Sequence, residues 1–563
     1  MVNQGRIENA GRPLIGKWSA CSTQWQWISI QDFFAISVLL TVFAATFVQP
    51  RLHAQATSGT ILGTIQDQSG AVIPDAIVTI ANVGTAESKT TKTDASGNYE
   101  VLYLIPGSYR VSATKQGFSK AEREAFPLNV DQKAKIDLTL KLGSATETVT
   151  ITGDAPQLKT ESSEAGEVIE STQITSLPLN VRNFAQFMDL TTGTSPNYSA
   201  QGGTVNADHP EGISATNVNG LPSDGNNWQL DGVSNNEGFF SVLTVNPSVD
   251  AIQEFKAITS NYSAEFGRAG GANVQISIKS GTNKFHGVAF EFLRNSALDA
   301  NDYFSDQNKS PIPPFKQNQF GANLGGPIVK DKAFFFGDYE GFRSSLGATE
   351  IMTVPTLLQR QGIFTEKDPI TGVSQPTIYD PITKIAEPSN TIASIDPVAA
   401  NIIALLPLPN ITGPGGAELL SNNYFGKDTT SHNVDQGDGR VDYRISEKNQ
   451  AFARYSVLDT ILQQPPFLGK AAGGDPFLAA ISTSFNQNIA ISEVHTFSPR
   501  LLNEFRFGFN KVHLNWAAFD VNSNESATVG IPGVNDFCAF CGGLAHIAIT
   551  GMSGFGHTPY APT

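Results

Sequence analysis

The sequence predicts a mainly β protein whose second half forms the first part of an outer-membrane antiparallel β-barrel. Three observations carry this expectation. Strand-like segments alternate apolar and polar residues with a period of two, and their connections alternate between tight turns and long polar inserts. Charged residues make up only 16% of the 563, beside 36 Phe, 51 Gly and 31 Pro. That composition favours aromatic strands and turns over helix.

The strands are read first. Phe505-Arg506-Phe507-Gly508-Phe509-Asn510 sets its phenylalanines on one face and Arg506, Gly508 and Asn510 on the other. Val441, Tyr443 and Ile445 form the apolar face of Arg440-Val441-Asp442-Tyr443-Arg444-Ile445, and Val288, Phe290 and Phe292 alternate with Gly287, Ala289 and Glu291. Alternation puts one row toward lipid and the next toward a lumen, but a soluble sandwich alternates too. The connections decide between them. Strands are expected at 285–295, 317–329, 333–343, 434–446, 449–458, 485–497 and 501–515. Lys330-Asp331-Lys332, a turn at Glu447-Lys448, and Ser498-Pro499-Arg500 make the short links, while 296–316, 344–433 and 459–484 make the long ones. Short periplasmic turns and long extracellular loops are the outer-membrane pattern. Soluble domains rarely carry inserts of that size without structure of their own.

The N-terminus reads as an export signal. Arg6, Arg12 and Lys17 precede an apolar run over 33–48, and Ala54-Gln55-Ala56 offers a small-x-small cleavage site. The run is shorter than the ~20 residues that span a bilayer. Removing 1–56 takes four basic and two acidic residues from 37 and 52, leaving 33 against 50 and a net charge of −17. An acidic exported chain is no nucleic-acid binder by bulk electrostatics. Cys538 and Cys541 form a CxxC pair. It could be a redox motif or half a zinc site, and an oxidising compartment favours a small loop disulfide.

Residues 58–142 form a compact β module with turn signals at short intervals. The strings Gly63-Thr64-Ile65-Gln66-Asp67-Gln68-Ser69-Gly70, Thr93-Asp94-Ala95-Ser96-Gly97-Asn98-Tyr99 and Ile105-Pro106-Gly107-Ser108-Tyr109 carry them. They closely resemble the carboxypeptidase regulatory-like domain, which implies a transthyretin-like, carbohydrate-binding-like sandwich. No peptidase activity follows, because the module contains no histidine for a zinc site. A structural or docking role is favoured over sugar binding.

Within a linker over 143–158, Glu147-Thr148-Val149-Thr150-Ile151-Thr152, an acidic residue followed by β-branched alternation, reads as a short extended strand, with a plain terminal strand or linker as the alternative. It could add edge-on to another protein's sheet, and it resembles the TonB box. From 160 to 283 the composition shifts to Asn, Gly, Ser and Asp, with ordered islands. These include Leu230-Asp231-Gly232-Val233, Ala264-Glu265-Phe266-Gly267-Arg268 and Lys279-Ser280-Gly281-Thr282-Asn283, followed by His286-Gly287. They resemble, in order, the plug domain of TonB-dependent receptors, specifically the Oar-like branch with an N-terminal regulatory-like domain. Glu265 and Arg268 are expected to pair with each other or with the barrel wall, as structural groups.

The resemblance implies a transporter in the outer membrane of a Gram-negative-type envelope, embedded in lipid, with a periplasmic TonB-type energy-coupling partner. Ligand would bind from outside and the plug would be displaced. Siderophore, glycan, peptide and export roles all fit, because loops without readable motifs set specificity. No catalytic residue, cofactor or metal is expected: the seven histidines left after cleavage lack metal spacing, and no glycine cluster forms a phosphate loop. The rival readings are a carbohydrate-binding β protein that does not transport, and a hydrolase. A barrel that holds a plug has about 22 strands, so this sequence is expected to be the partial barrel of a longer or split protein.

Overall fold

The computed structural model describes residues 58–143, 148–151, 163–177, 179, 182–196, 216–238, 243–268, 270–301, 303–307, 312–464, 466–473, 481–498, 501–535 and 542–556. The expected export signal, Glu147 and the Cys538/Cys541 pair lie outside them. No helix among these residues is long and apolar enough to cross a membrane.

The N-terminal module contains β1 (Gly59–Asp67), β2 (Ile77–Asn82), β3 (Ser88–Lys92), β4 (Asn98–Leu104), β5 (Gly107–Thr114), β6 (Lys120–Leu128), β7 (Lys133–Lys135), β8 (Leu138–Leu140) and β9 (Thr148–Ile151). One sheet runs β4-β1-β7 with β8 also on β1, and the other runs β3-β2-β5-β6-β9. Inward positions of both supply a core that includes Ile61, Ile65, Val78, Ile80, Val111 and Leu138. The motif aspartates have a turn-forming job. Asp67 Oδ1 accepts from the Ser69 and Ala71 amides, and Asp94 Oδ1 from those of Ser96 and Asn98, as Asx turns do. The motif tyrosines staple strands, Tyr99 Oη donating to Ile136 O at 2.6 Å and Tyr109 Oη to Ile105 O at 2.7 Å.

Within the linker, the expected short extended strand forms over 148–151. β9 pairs in parallel with β6, from Lys120↔Thr148 to Arg123↔Ile151. It is an edge strand of the module's sheet.

A second unit follows, with β10 (Ala165–Glu170), β11 (Thr194–Pro196), β12 (Thr216–Val218), β13 (Asn227–Leu230), β14 (Val233–Ser234), β15 (Ile252–Ser260) and β16 (Asn273–Ile278). Its sheet order is β10-β15-β16-β13-β14. Phe184, Phe187, Trp228 and Phe255 fill its centre, with the Phe187 and Phe255 rings 5.6 Å apart edge to face.

The remainder is a single antiparallel meander of β17 (His286–Asn295), β18 (Phe315–Val329), β19 (Ala333–Met352), β20 (Tyr424–Ser446), β21 (Asn449–Gln463), β22 (Ile481–Ser498) and β23 (Leu501–Lys511). β24 (Leu514–Ala517) continues β23 along β22 after a break. Among the described residues, the outer edges of β17 and β23 have no partner strand. Its polarity is inverted relative to a soluble core. Inward rows are buried and polar: Gln436, Asp438, Arg440 and Asp442 on β20, and Ser482, Ser484, Asn486, Asn488 and Ser492 on β22. Outward rows are apolar and exposed, as with Val441, Tyr443, Ile445, Ile491, Phe505, Phe507 and Phe509. Only a non-aqueous surround makes that arrangement favourable.

The strands outrun their expected ends on the loop side. β19 and β20 stay paired from Ala333↔Tyr443 to Met352↔Tyr424, whereas a tilted strand needs only ~9–11 residues to cross. The added length is Thr-, Ser- and Gly-rich and no longer alternates, because it has water on both faces. Nor are the long loops structureless. Met352, Val354, Leu406, Leu468, Val529, Leu544 and Phe555 form a shared core. Asn423, fully buried, seals it by bonding both the amide and carbonyl of Val354 at 2.8 Å.

Candidate functional site

The central contact lies between the second unit and the inward face of the sheet. It starts from local turn chemistry. β13 and β14 are joined by Asp231-Gly232, with Leu230 opposite Val233. Both turn residues have positive φ, 48° and 75°, which is the two-residue hairpin geometry that Asp-Gly favours. The turn points the Asp231 carboxylate at the wall. There Arg440 Nη1 lies 3.0 Å from Oδ1, and Arg454 Nε lies 2.8 Å from Oδ2. All three groups are buried, with Arg454 1% and Asp231 2% exposed.

The arginines are held in turn. Arg440 pairs with Asp442 at 2.9 Å, donates to Ile278 O at 3.1 Å and covers the Phe452 ring at 4.5 Å. Arg454 Nη2 donates to Asn488 Oδ1 at 2.5 Å and to Leu230 O at 3.4 Å, and Arg454 Nη1 donates to Ser456, which donates to Asp438. Each buried charge thus has an opposite charge and further hydrogen bonds, the condition for tolerating burial.

The wall also satisfies backbone carbonyls of the inner unit. Asn486, Asn488 and Asn510 donate at 2.9 Å to Thr244 O, Ser234 O and Asn236 O. Glu340 accepts from Ser248, Gln319 and Gln436 at 3.2, 3.0 and 2.9 Å. Phe336 and Leu458 of the wall enter the apolar core of the inner unit.

The Lys279-Ser280-Gly281 segment threads between the two layers. Lys279 Nζ donates to Asp250 O at 2.8 Å and Ser280 Oγ to Asp442 Oδ2 at 2.7 Å. A Cβ at Gly281 would meet Phe335 O at 2.3 Å and Gly326 O at 2.5 Å. Only glycine fits against that backbone. Asn283 then clamps the short turn at Lys330-Asp331-Lys332 through two bonds to Asp331, at 2.7 and 2.8 Å. Glu265, Gly267 and Arg268 lie in a loop of the inner unit, and Arg268 donates to Glu237 O of that unit at 3.4 Å.

Residues 277–563 match the model of an outer membrane beta barrel domain, and residues 60–141 match that of a carboxypeptidase regulatory-like domain. The chain belongs to the outer membrane beta barrel domain family. It is a protein of the cell outer membrane. Over 300 residues it is 30% identical to the TonB-dependent transporter Oar of Myxococcus xanthus, a match covering 51% of this chain and 27% of that protein. The chain therefore spans about a quarter of the relative's length. Among solved structures, the outer membrane transporter YddB of Escherichia coli is similar over 63% of this chain and 40% of its own, at 10% identity and TM-score 0.42. The siderophore receptor PirA of Pseudomonas aeruginosa is similar over 63% and 41%, at 9% identity and TM-score 0.35.

In this outer-membrane protein the N-terminal module also grips the inner unit. Val130 N donates to both carboxylate oxygens of Glu254, at 2.9 and 2.8 Å. Lys256 Nζ pairs with Asp131 at 2.8 Å and with Glu164 at 3.1 Å. Burial pushes the Glu254 carboxyl up to about 7, although the Val130 amide and Lys256 pull it down. Burial alone would lower the Lys256 ammonium, but Asp131 and Glu164 more than offset that and hold it above its ordinary range.

A pH dependence follows. Because the Glu254 pKa is raised by docking, the docked state takes up a proton. Its contribution is fully present below the ordinary carboxylate value and is lost as pH rises through about 7. Glu170, Asp131 and Lys256 are the charged groups that face it. Glu254→Gln, which keeps an oxygen for Val130, is expected to flatten this dependence and to tighten docking at pH 8. Amide hydrogen exchange at Val130, compared at pH 5 and pH 8, checks it. Equal pH dependence in the two proteins would refute the assignment.

Sequence reasoning missed Arg440, Arg454, Glu254 and Lys256 as contact groups. The legible signal was charge in inward-facing register: Arg454 sits between the outward Ala453 and Tyr455.

Proposed function

We propose that the chain is part of a TonB-dependent outer-membrane transporter, in which the inner unit is a plug that is displaced to admit ligand. The observation that carries this reading is the five-stranded sheet, distinct from the meander, that packs on the polar face of the wall and is tied there through Asp231, Arg440 and Arg454. Such a contact fills a lumen without covalent closure, so displacing it opens a path. The similarity to Oar supports the same reading. The carriers of the ligand step would be the long loops, which share their own core. No chemistry on the ligand is required, since displacement is a shift between two arrangements of the same chain.

Coupling would enter at Glu147, Thr148, Val149, Thr150 and Ile151. Among the described residues the outer edge of β9 has no partner strand, so it can offer backbone groups to an incoming strand of the periplasmic TonB-type protein. Deleting 147–152 from the intact gene product is expected to abolish binding of that protein's periplasmic domain, measured by calorimetry on detergent-purified receptor. Undiminished binding would overturn the coupling assignment.

A further inference from the structure

We propose that the N-terminal module is a latch on the plug, and that pulling on β9 releases the module before it disturbs the plug itself. This rests on the coupling reading above and adds what the pull does first. β9 does not hang free between the module and the plug. It is hydrogen-bonded along its length to β6, so a force on it is delivered to the module. Among the described residues, the module is fastened to the plug through the loop 129–132, and at its rim it touches Asn283 and the wall strand β21.

The loop contacts are few and polar. Val130 N meets Glu254, Asp131 meets Lys256, and Asn129 Nδ2 donates to Glu170 Oε1 at 3.3 Å. At the rim, Asn283 N donates to Gly84 O at 3.0 Å and Gln450 donates to Glu87. Lys256 is the shared fastener. Its ammonium, on a side chain 6% exposed, ties Asp131 of the module to Glu164, the residue that leads into the plug's edge strand β10. One cation therefore holds the module and the entry of the plug together.

The order of failure follows from what each part must lose. Unfolding the module would expose an apolar core that includes Ile61, Ile65, Val78 and Leu138. Stripping β10 would break its pairing with β15 from Ala165↔Ser260 to Glu170↔Glu254. Among the described residues, undocking loses the burial of Val130 and the polar contacts named above, whose groups water can satisfy at once. The module comes off whole, and Glu254 and Lys256 become hydrated on the face of β15.

Force spectroscopy on the intact protein in liposomes tests this without any ligand or coupling protein. A handle is attached at Thr150→Cys, with Cys538 and Cys541 replaced by serine. The expected trace has an early peak that adds no plug length, lost in Lys256→Ala and kept in Lys256→Arg. Hydrogen exchange gives a second readout, with the Val130 amide protected in the parent and exchanging in Lys256→Ala. A first event that lengthens the chain by stripping β10 while the module stays docked overturns the latch. So does an early peak of equal force in Lys256→Ala. Either failure leaves the coupling assignment standing, because that is read separately from the 147–152 deletion.

Discussion

Replacing Asp231 with alanine is expected to weaken the hold of the wall on the inner unit by about 3–5 kcal/mol, the cost typical of stripping one partner from a buried ion pair. Two guanidiniums, Arg440 and Arg454, would lose the carboxylate 3.0 and 2.8 Å away and remain buried. Alanine would also sit at a φ of 48°, which asparagine tolerates better. Asp231→Asn separates the two effects: it keeps the turn and removes the charge, so it should fall between alanine and the parent. Denaturant midpoints of detergent-purified protein read the size of the effect. Entry of a large antibiotic into cells that express the intact protein reads the loosened inner unit. An unfolding free energy within roughly 0.5 kcal/mol of the parent, the scatter of ordinary surface substitutions, would show that this triad is not what holds the two layers together.

The second large effect is expected from Trp228→Ala, at about 3–5 kcal/mol for a buried aromatic truncated to a cavity. Trp228 is fully buried, with the Phe184 ring at 6.3 Å edge to face and the Phe255 ring at 6.5 Å. The damage should be confined to the inner unit, since the wall's own ladder does not depend on the indole. Limited proteolysis should therefore cut between 163 and 278 while the heat-modifiable mobility of the barrel strands is unchanged. Trp228→Phe, which preserves ring contact, should recover part of the loss. Coincident loss of the barrel strands would mean that the wall needs the inner unit to form.

Much of this architecture was open to reading because its signals are local. Period-two alternation located every strand of the meander, and the link at Lys330-Asp331-Lys332 lies between β18 and β19 as the turn chemistry required. Residue strings in 58–142 pointed to a regulatory-like sandwich, and the family model matches 60–141. The extensions of β19 and β20 were not readable, because alternation vanishes where both faces meet water. β9 was readable as a short extended strand, but its partner was not, because the pairing depends on the distant β6. Two tandem turns in the loops also went unread. Asp368 and Asp380 each accept from the amides two and three residues on, through identical Asp-Pro-Ile-Thr strings.

By itself the sequence determined which face of each strand meets lipid, since that depends only on neighbours two apart in the chain. Asp231-Gly232 stood out in the sequence only as part of a familiar string, and the structure shows it as the two-residue turn between β13 and β14. Which charges meet between the inner unit and the wall was decided only by tertiary structure. Arg440 and Arg454 lie over 200 residues from Asp231, and Coulomb pairing at such separations is set by register and packing, which no local pattern encodes. The same holds for Lys256, whose carboxylate partners Asp131 and Glu164 lie 125 and 92 residues away in the chain.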